Sequence, residues 1–139
     1  MSVPLRRSAI WLTTVFLLSL AVNLLILGIL SHAMNDTQSE TILATVLKIH
    51  AVPLGALLVG VFSRQKSDGQ MGVSISIVSL IIAILWAFIM TYSWWGFPDT
   101  IVAPDVNNRY LNHSSDLSFL LVAMIGYFTG KASDSAPNT

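Results

Sequence analysis

The sequence predicts an all-α fold: an integral membrane four-helix transmembrane bundle with both termini on the cytoplasmic side. Three observations carry this. Of the 139 residues, 54% are hydrophobic and only 10% are charged, with a mean hydropathy of +0.72, whereas a soluble domain carries roughly 25% charge. Apolar runs of the length needed to cross about 30 Å of hydrocarbon recur along the chain. Basic residues gather at alternate ends of those runs, as the positive-inside rule requires of a polytopic protein.

Residues 1–8 read as a short cytoplasmic N-terminus carrying Arg6 and Arg7. A single membrane domain follows over 9–131, with spans at about 9–31, 41–63, 72–95 and 108–130, and 132–139 form a polar cytoplasmic tail. The first span rests on the run AIWLTTVFLLSLAVNLLILGIL. Arg6, Arg7 and the small-residue sequence SHA at 31–33 resemble the ends of a signal peptide. The apolar run is longer than the 7–15 residues of a signal core, however, so it reads as an uncleaved anchor. The second and third spans are plain by length and composition. The fourth is not, because its apolar part, LSFLLVAMIGYFTG, covers only 117–130. Pro104 suits a first helical turn, which allows a helix from about 105 that completes the crossing with polar residues.

Arg64 and Lys66 lie between the second and third spans and Lys131 follows the fourth, on the same side as Arg6 and Arg7. The opposite loops hold Arg109 alone among basic residues. Trp94 and Trp95 would then mark the outer interface, and Trp11 and Tyr127 the inner one, as an aromatic belt does.

Several function classes find no support in the residues. Seven acidic and seven basic residues cancel, and no basic stripe suits nucleic acid. The absence of cysteine removes disulfides, thiol nucleophiles and thiolate metal sites. Phosphate-cradling loops, nucleophile elbows and paired carboxylates are missing, so no catalytic residue is assigned and the chain reads as a non-enzyme. No metal-ligand pattern is present either. NDT at 35 and NHS at 112 match the glycosylation pattern, which matters only in a eukaryotic secretory membrane.

Polar residues inside the spans are therefore the main candidates. Counting 1.5 Å per residue from the inner ends puts Asn23, Lys48, His50 and Asp116 at about 20–22 Å, in one layer. Ionisable side chains in a membrane face the bundle interior or pair with one another, so Lys48 and Asp116 are a candidate ion pair beside His50. Arg109 and His113 would extend the layer along one face of the fourth helix. Alternatively, Lys48 snorkels to the headgroups and Asp116 sits in a helical first turn. Pro53 should kink the second helix and free the carbonyl of Ile49.

Small residues recur at four-residue spacing: Ala56 and Gly60, then Ser79, Ala83 and Ala87, then Gly126 and Gly130. Such ridges allow close helix approach, either within the bundle or between chains. The composite expectation is a membrane component of a plasma (inner) membrane, whose partners are the lipid bilayer and itself or another membrane protein. Proton or ion conduction, or sensing, through the polar layer is its sharper version. The alternative is a membrane-anchor subunit of an oxidoreductase binding haem or quinone at His50 and His113. Those two histidines differ by about 5 Å in counted depth, so the preferred expectation holds no cofactor.

Overall fold

The apolar runs fold as helices whose ends are set by local polar chemistry. A computed structural model of the chain describes residues 2–59 and 70–134. Helix α1 spans Leu5–Leu30 and tightens into a 3-10 turn at Ser31–Ala33. There the Ser31 hydroxyl donates to the Gly28 carbonyl at 2.9 Å and the His32 Nδ1 to that of Ile29 at 2.8 Å, satisfying carbonyls that the helix end leaves open. Helix α2, Asp36–Leu57, opens on a capping box. Gln38 N–H donates to Asn35 Oδ1 at 2.9 Å, and Asn35 N–H donates to Gln38 Oε1 at 3.1 Å. The NDT sequence thus starts a helix, five residues before the span edge expected at 41. The helix runs on through Pro53, whose ring is buried.

Helix α3 covers Val73–Tyr92 and ends in a turn closed by Ser93, Trp94 and Trp95 N–H groups on the carbonyls of Met90, Thr91 and Tyr92. Helix α4 runs over Ala103–Asp134 with Pro104 in its first turn, and Asp105 Oδ2 accepts from Val102 N–H at 3.2 Å. The polar stretch before the fourth apolar run is therefore helical. A two-stranded antiparallel ribbon joins the starts of α1 and α3: β1, Ser2–Pro4, pairs with β2, Gln70–Gly72. It is too short to leave a sequence signature.

Among the described residues, three helices are long and apolar enough to cross a membrane: α1 with its terminal turn, α2 and α3. The expected fourth span is corrected here. Helix α4 is long, but Asp105, Arg109 and Asp116 in its first half dilute its apolar character below that of the others. The lateral surface is oily, with Leu18, Phe88, Phe119 and Val122 each more than 60% exposed. A soluble monomer rarely presents so much apolar surface, whereas lipid solvates it.

Helices α1 and α3 run parallel in a fixed register, since the Ser8–Ser76 and Asn23–Thr91 hydrogen bonds both link residues 68 apart. Helices α2 and α4 also run side by side, joined by Thr45 Oγ1 donating to Asn107 Oδ1 at 2.7 Å. With α1 against α2 and α3 against α4, the parallel pairs are neighbours. The diagonals are α1–α4 and α2–α3. Large side chains close those diagonals at the core, where Phe16, His50, Trp86 and Tyr110 are fully buried.

Candidate functional site

Asn23 lies on the inward face of α1, one turn after Ser19, and both are buried. Its side-chain carbonyl accepts from the Trp94 indole N–H at 3.1 Å and from the Tyr110 hydroxyl. Its amide donates to the Ser19 carbonyl at 2.8 Å and, more weakly, to Thr91 Oγ1 at 3.4 Å. An indole only donates and a backbone carbonyl only accepts, so these partners fix which way the amide points. All four hydrogen-bonding positions of Asn23 are in use. One side chain thereby ties α1 to the end of α3 and to α4.

His50 is the second buried centre. Its Nδ1 lies 2.8 Å from the Val46 carbonyl one turn back. That carbonyl only accepts, so Nδ1 carries the proton. In the uncharged ring Nε2 is then the acceptor, and the Ser19 hydroxyl donates to it across 3.0 Å. The ring meets Trp86 edge-on at 4.9 Å, and Trp86 meets Phe16 in the same way at 5.1 Å. Trp86 Nε1 is buried with no hydrogen-bond partner among the described residues.

Ser19 joins the two centres, its hydroxyl serving His50 and its carbonyl serving Asn23. The result is one network, His50–Ser19–Asn23–Trp94/Tyr110, across all four helices. In low dielectric such a network rigidifies a bundle when every member is satisfied. As a proton path it has a break. Ser19 and Asn23 communicate through a peptide carbonyl and an amide N–H, neither of which relays protons as a hydroxyl or imidazole does.

The expected polar layer divides. Asn23 and His50 come together through Ser19. Lys48 and Asp116 are both exposed, and neither forms an ion pair among the described residues. Their helical phase explains this: Val46, His50, Pro53 and Leu57 define the inward face of α2, and Lys48 falls outside it. Arg109 and His113 do share a face of α4, directed at the turn after α3. Arg109 Nη1 donates to the Trp95 carbonyl at 2.7 Å, and His113 Nδ1 is hydrogen-bonded to Ser93 Oγ at 3.1 Å.

Trp95 is 70% exposed, whereas the belt expectation is corrected for Trp94, which is 5% exposed and serves Asn23. The small-residue ridges also separate. Ser79 and Ala83 are buried, and Ala56 and Ala87 are partly covered. Gly126 is exposed, and a Cβ there would meet nothing within 4 Å among the described residues. Gly60 and the surroundings of Gly130 lie outside the described residues.

Among the described residues no three His, Asp or Glu side chains cluster as metal ligands. Haem ligation by His50 would have to take Nε2 away from Ser19. Tyr110, Ser19 and Thr91 were not singled out by sequence, and Trp94 was assigned to the interfacial belt instead. A usable signal existed for Tyr110, since Ala103, Val106 and Tyr110 recur at helical spacing, and all three are buried. Compared with known protein families, curated proteins and solved structures, the chain matches none of them.

Proposed function

We propose that this chain is a non-enzymatic integral membrane component that works by associating with a second membrane protein, either another copy or a different chain. In this reading the His50–Ser19–Asn23–Tyr110 network pins the bundle together and is not a conduction path. Helix α4 lies beside α2 with its apolar half, 117–128, at membrane depth. Arg6, Arg7, Arg64 and Lys66 favour a cytoplasmic N-terminus and a cytoplasmic segment between α2 and α3, and a plasma (inner) membrane is the proposed site.

The observation that carries the association reading is Gly126. The small residues of α3 are spent on packing inside the bundle, whereas Gly126 is exposed on the same helix face as exposed Phe119 and Val122. In lipid, close helix approach over small residues is a main source of association energy. A small residue on an otherwise bulky outer face therefore suits a partner helix.

The chain has no cysteine, so a single Ala123→Cys provides a clean reporter on this exposed face. Oxidation in native membranes is expected to yield a disulfide-linked dimer, or mild extraction a stable hetero-complex. Gly126→Leu should remove either product. A chain that stays monomeric and alone in both assays would end this reading. A visible haem band that His50→Ala abolishes would instead favour the oxidoreductase anchor.

A further inference from the structure

Below the Thr45–Asn107 contact, α2 and α4 part and leave a lateral groove of about 420 Å³ that reaches Trp86 of α3 at the centre of the bundle. This size lies in the usual range of ligand pockets, roughly 300–1,000 Å³. Its two ends differ chemically. Thr45 and Lys48 stand at the end nearest the α2 N-terminus, and Ser114 and Ser118 follow along α4. Beyond them the walls are hydrocarbon, down to Val122 and Ile125.

Both hydroxyls on the α4 side are already committed, Ser114 to the Leu111 carbonyl and Ser118 to that of Ser115. The ammonium of Lys48 is thus the strong polar group at the groove. It is exposed and has no carboxylate partner among the described residues. A lysine side chain on α2 leans toward the helix N-terminus, which places its charge at the polar end. Along the hydrocarbon walls water would find few hydrogen-bond partners. A hydrocarbon chain fills the groove and gains dispersion contacts with the lining.

We propose that this groove is a binding site for one anionic phospholipid of the bilayer, with an acyl chain lying between α2 and α4 toward Trp86 and the headgroup phosphate on Lys48. Charge complementarity decides the headgroup. A zwitterionic lipid carries its own ammonium beside the phosphate and competes with Lys48, whereas an anionic headgroup leaves the phosphate to it. Gly126 is not among the lining residues, but Val122 belongs both to the groove and to the Gly126 face, so Lys48→Gln on α2 is the variant that bears on the lipid alone.

Native mass spectrometry of the full chain, carried in detergent with equal phosphatidylglycerol and phosphatidylcholine, tests this. One phosphatidylglycerol per chain should survive detergent stripping in preference to phosphatidylcholine. Lys48→Gln should weaken that preference roughly fivefold, the effect of one lysine at an anionic lipid surface. Val122→Trp, which fills the groove, should abolish retention of both lipids while helical circular dichroism is unchanged. Asp116→Asn, outside the groove, should alter neither. Equal retention of the two lipids, or phosphatidylglycerol binding that persists unaltered in both Lys48→Gln and a folded Val122→Trp, overturns the proposal. Preferential retention of oleate over phosphatidylglycerol also overturns it, because the site would then take a free single-chain carboxylate.

Discussion

The Tyr110 hydroxyl donates to the side-chain carbonyl of Asn23 across the α1–α4 diagonal, joining residues 87 apart in sequence. The same carbonyl accepts from Trp94, so Asn23 is where three separate segments converge. Replacing Asn23 by Leu removes the acceptor that both donors share among the described residues. Each buried unsatisfied group costs about 1–3 kcal/mol, and Asn23→Leu should lower stability by about 2–4 kcal/mol. Tyr110→Phe removes one donor and leaves Trp94 on Asn23, for a loss of about 1 kcal/mol. Denaturation of the chain in mild detergent, followed by circular dichroism, gives both numbers. Equal losses would show that Asn23 is not the shared acceptor.

The arrangement around His50 makes a spectroscopic prediction. With Nδ1 on the Val46 carbonyl and Ser19 on Nε2, long-range nitrogen–proton correlation should show the Nδ1-protonated tautomer. Ser19→Ala should leave the tautomer unchanged, because Val46 fixes it, and shift the Nε2 resonance as its donor is lost. An Nε2-protonated ring in the native chain would reverse the direction of the Ser19 bond.

Legibility in the sequence followed the kind of signal each feature leaves. Three apolar helices are visible because hydrophobicity is summed over about twenty residues. Depth counting brought Asn23 and His50 to one level, and they do meet through Ser19. Counting gave height but not direction, which is why Lys48 and Asp116 entered the same layer. Direction needs the phase of each helix, and α2 shows it only through the set Ile42, Val46, His50, Pro53 and Leu57. Helix α4 was harder, since its first half is polar and its start depends on the turn from Trp94 to Val102. Tyr110 is invisible as a partner of Asn23 until that turn brings α4 back against α1.

Glycines separate two effects of the same substitution. Gly96 holds a φ of +87° in the turn after α3, and its carbonyl accepts from the Thr100 and Ile101 N–H groups. A Cβ there would collide with the Thr100 hydroxyl. Gly96→Ala should therefore cost about 1–3 kcal/mol in strain. Gly28 sits within α1, and an added Cβ meets nothing within 4 Å among the described residues. Gly28→Ala should raise stability by about 0.5–1 kcal/mol by restricting the unfolded chain. The same thermal unfolding series measures both, and matching signs would contradict this account.

Lys48 and Asp116 supply the last test, because their separation is a definite statement about α2 and α4. Had they formed a buried pair, removing one partner would leave an orphan charge at a cost of about 3–5 kcal/mol, and removing both would restore much of it. Both side chains are instead exposed and unpaired with each other. Lys48→Gln and Asp116→Asn should each change stability by less than about 0.5 kcal/mol, as surface substitutions do. The double variant should equal their sum within about 0.3–0.5 kcal/mol, the additivity of independent sites. A double-mutant cycle in lipid nanodiscs measures this directly. A coupling above about 1 kcal/mol would bring the two helix faces together and close the groove that Lys48 lines.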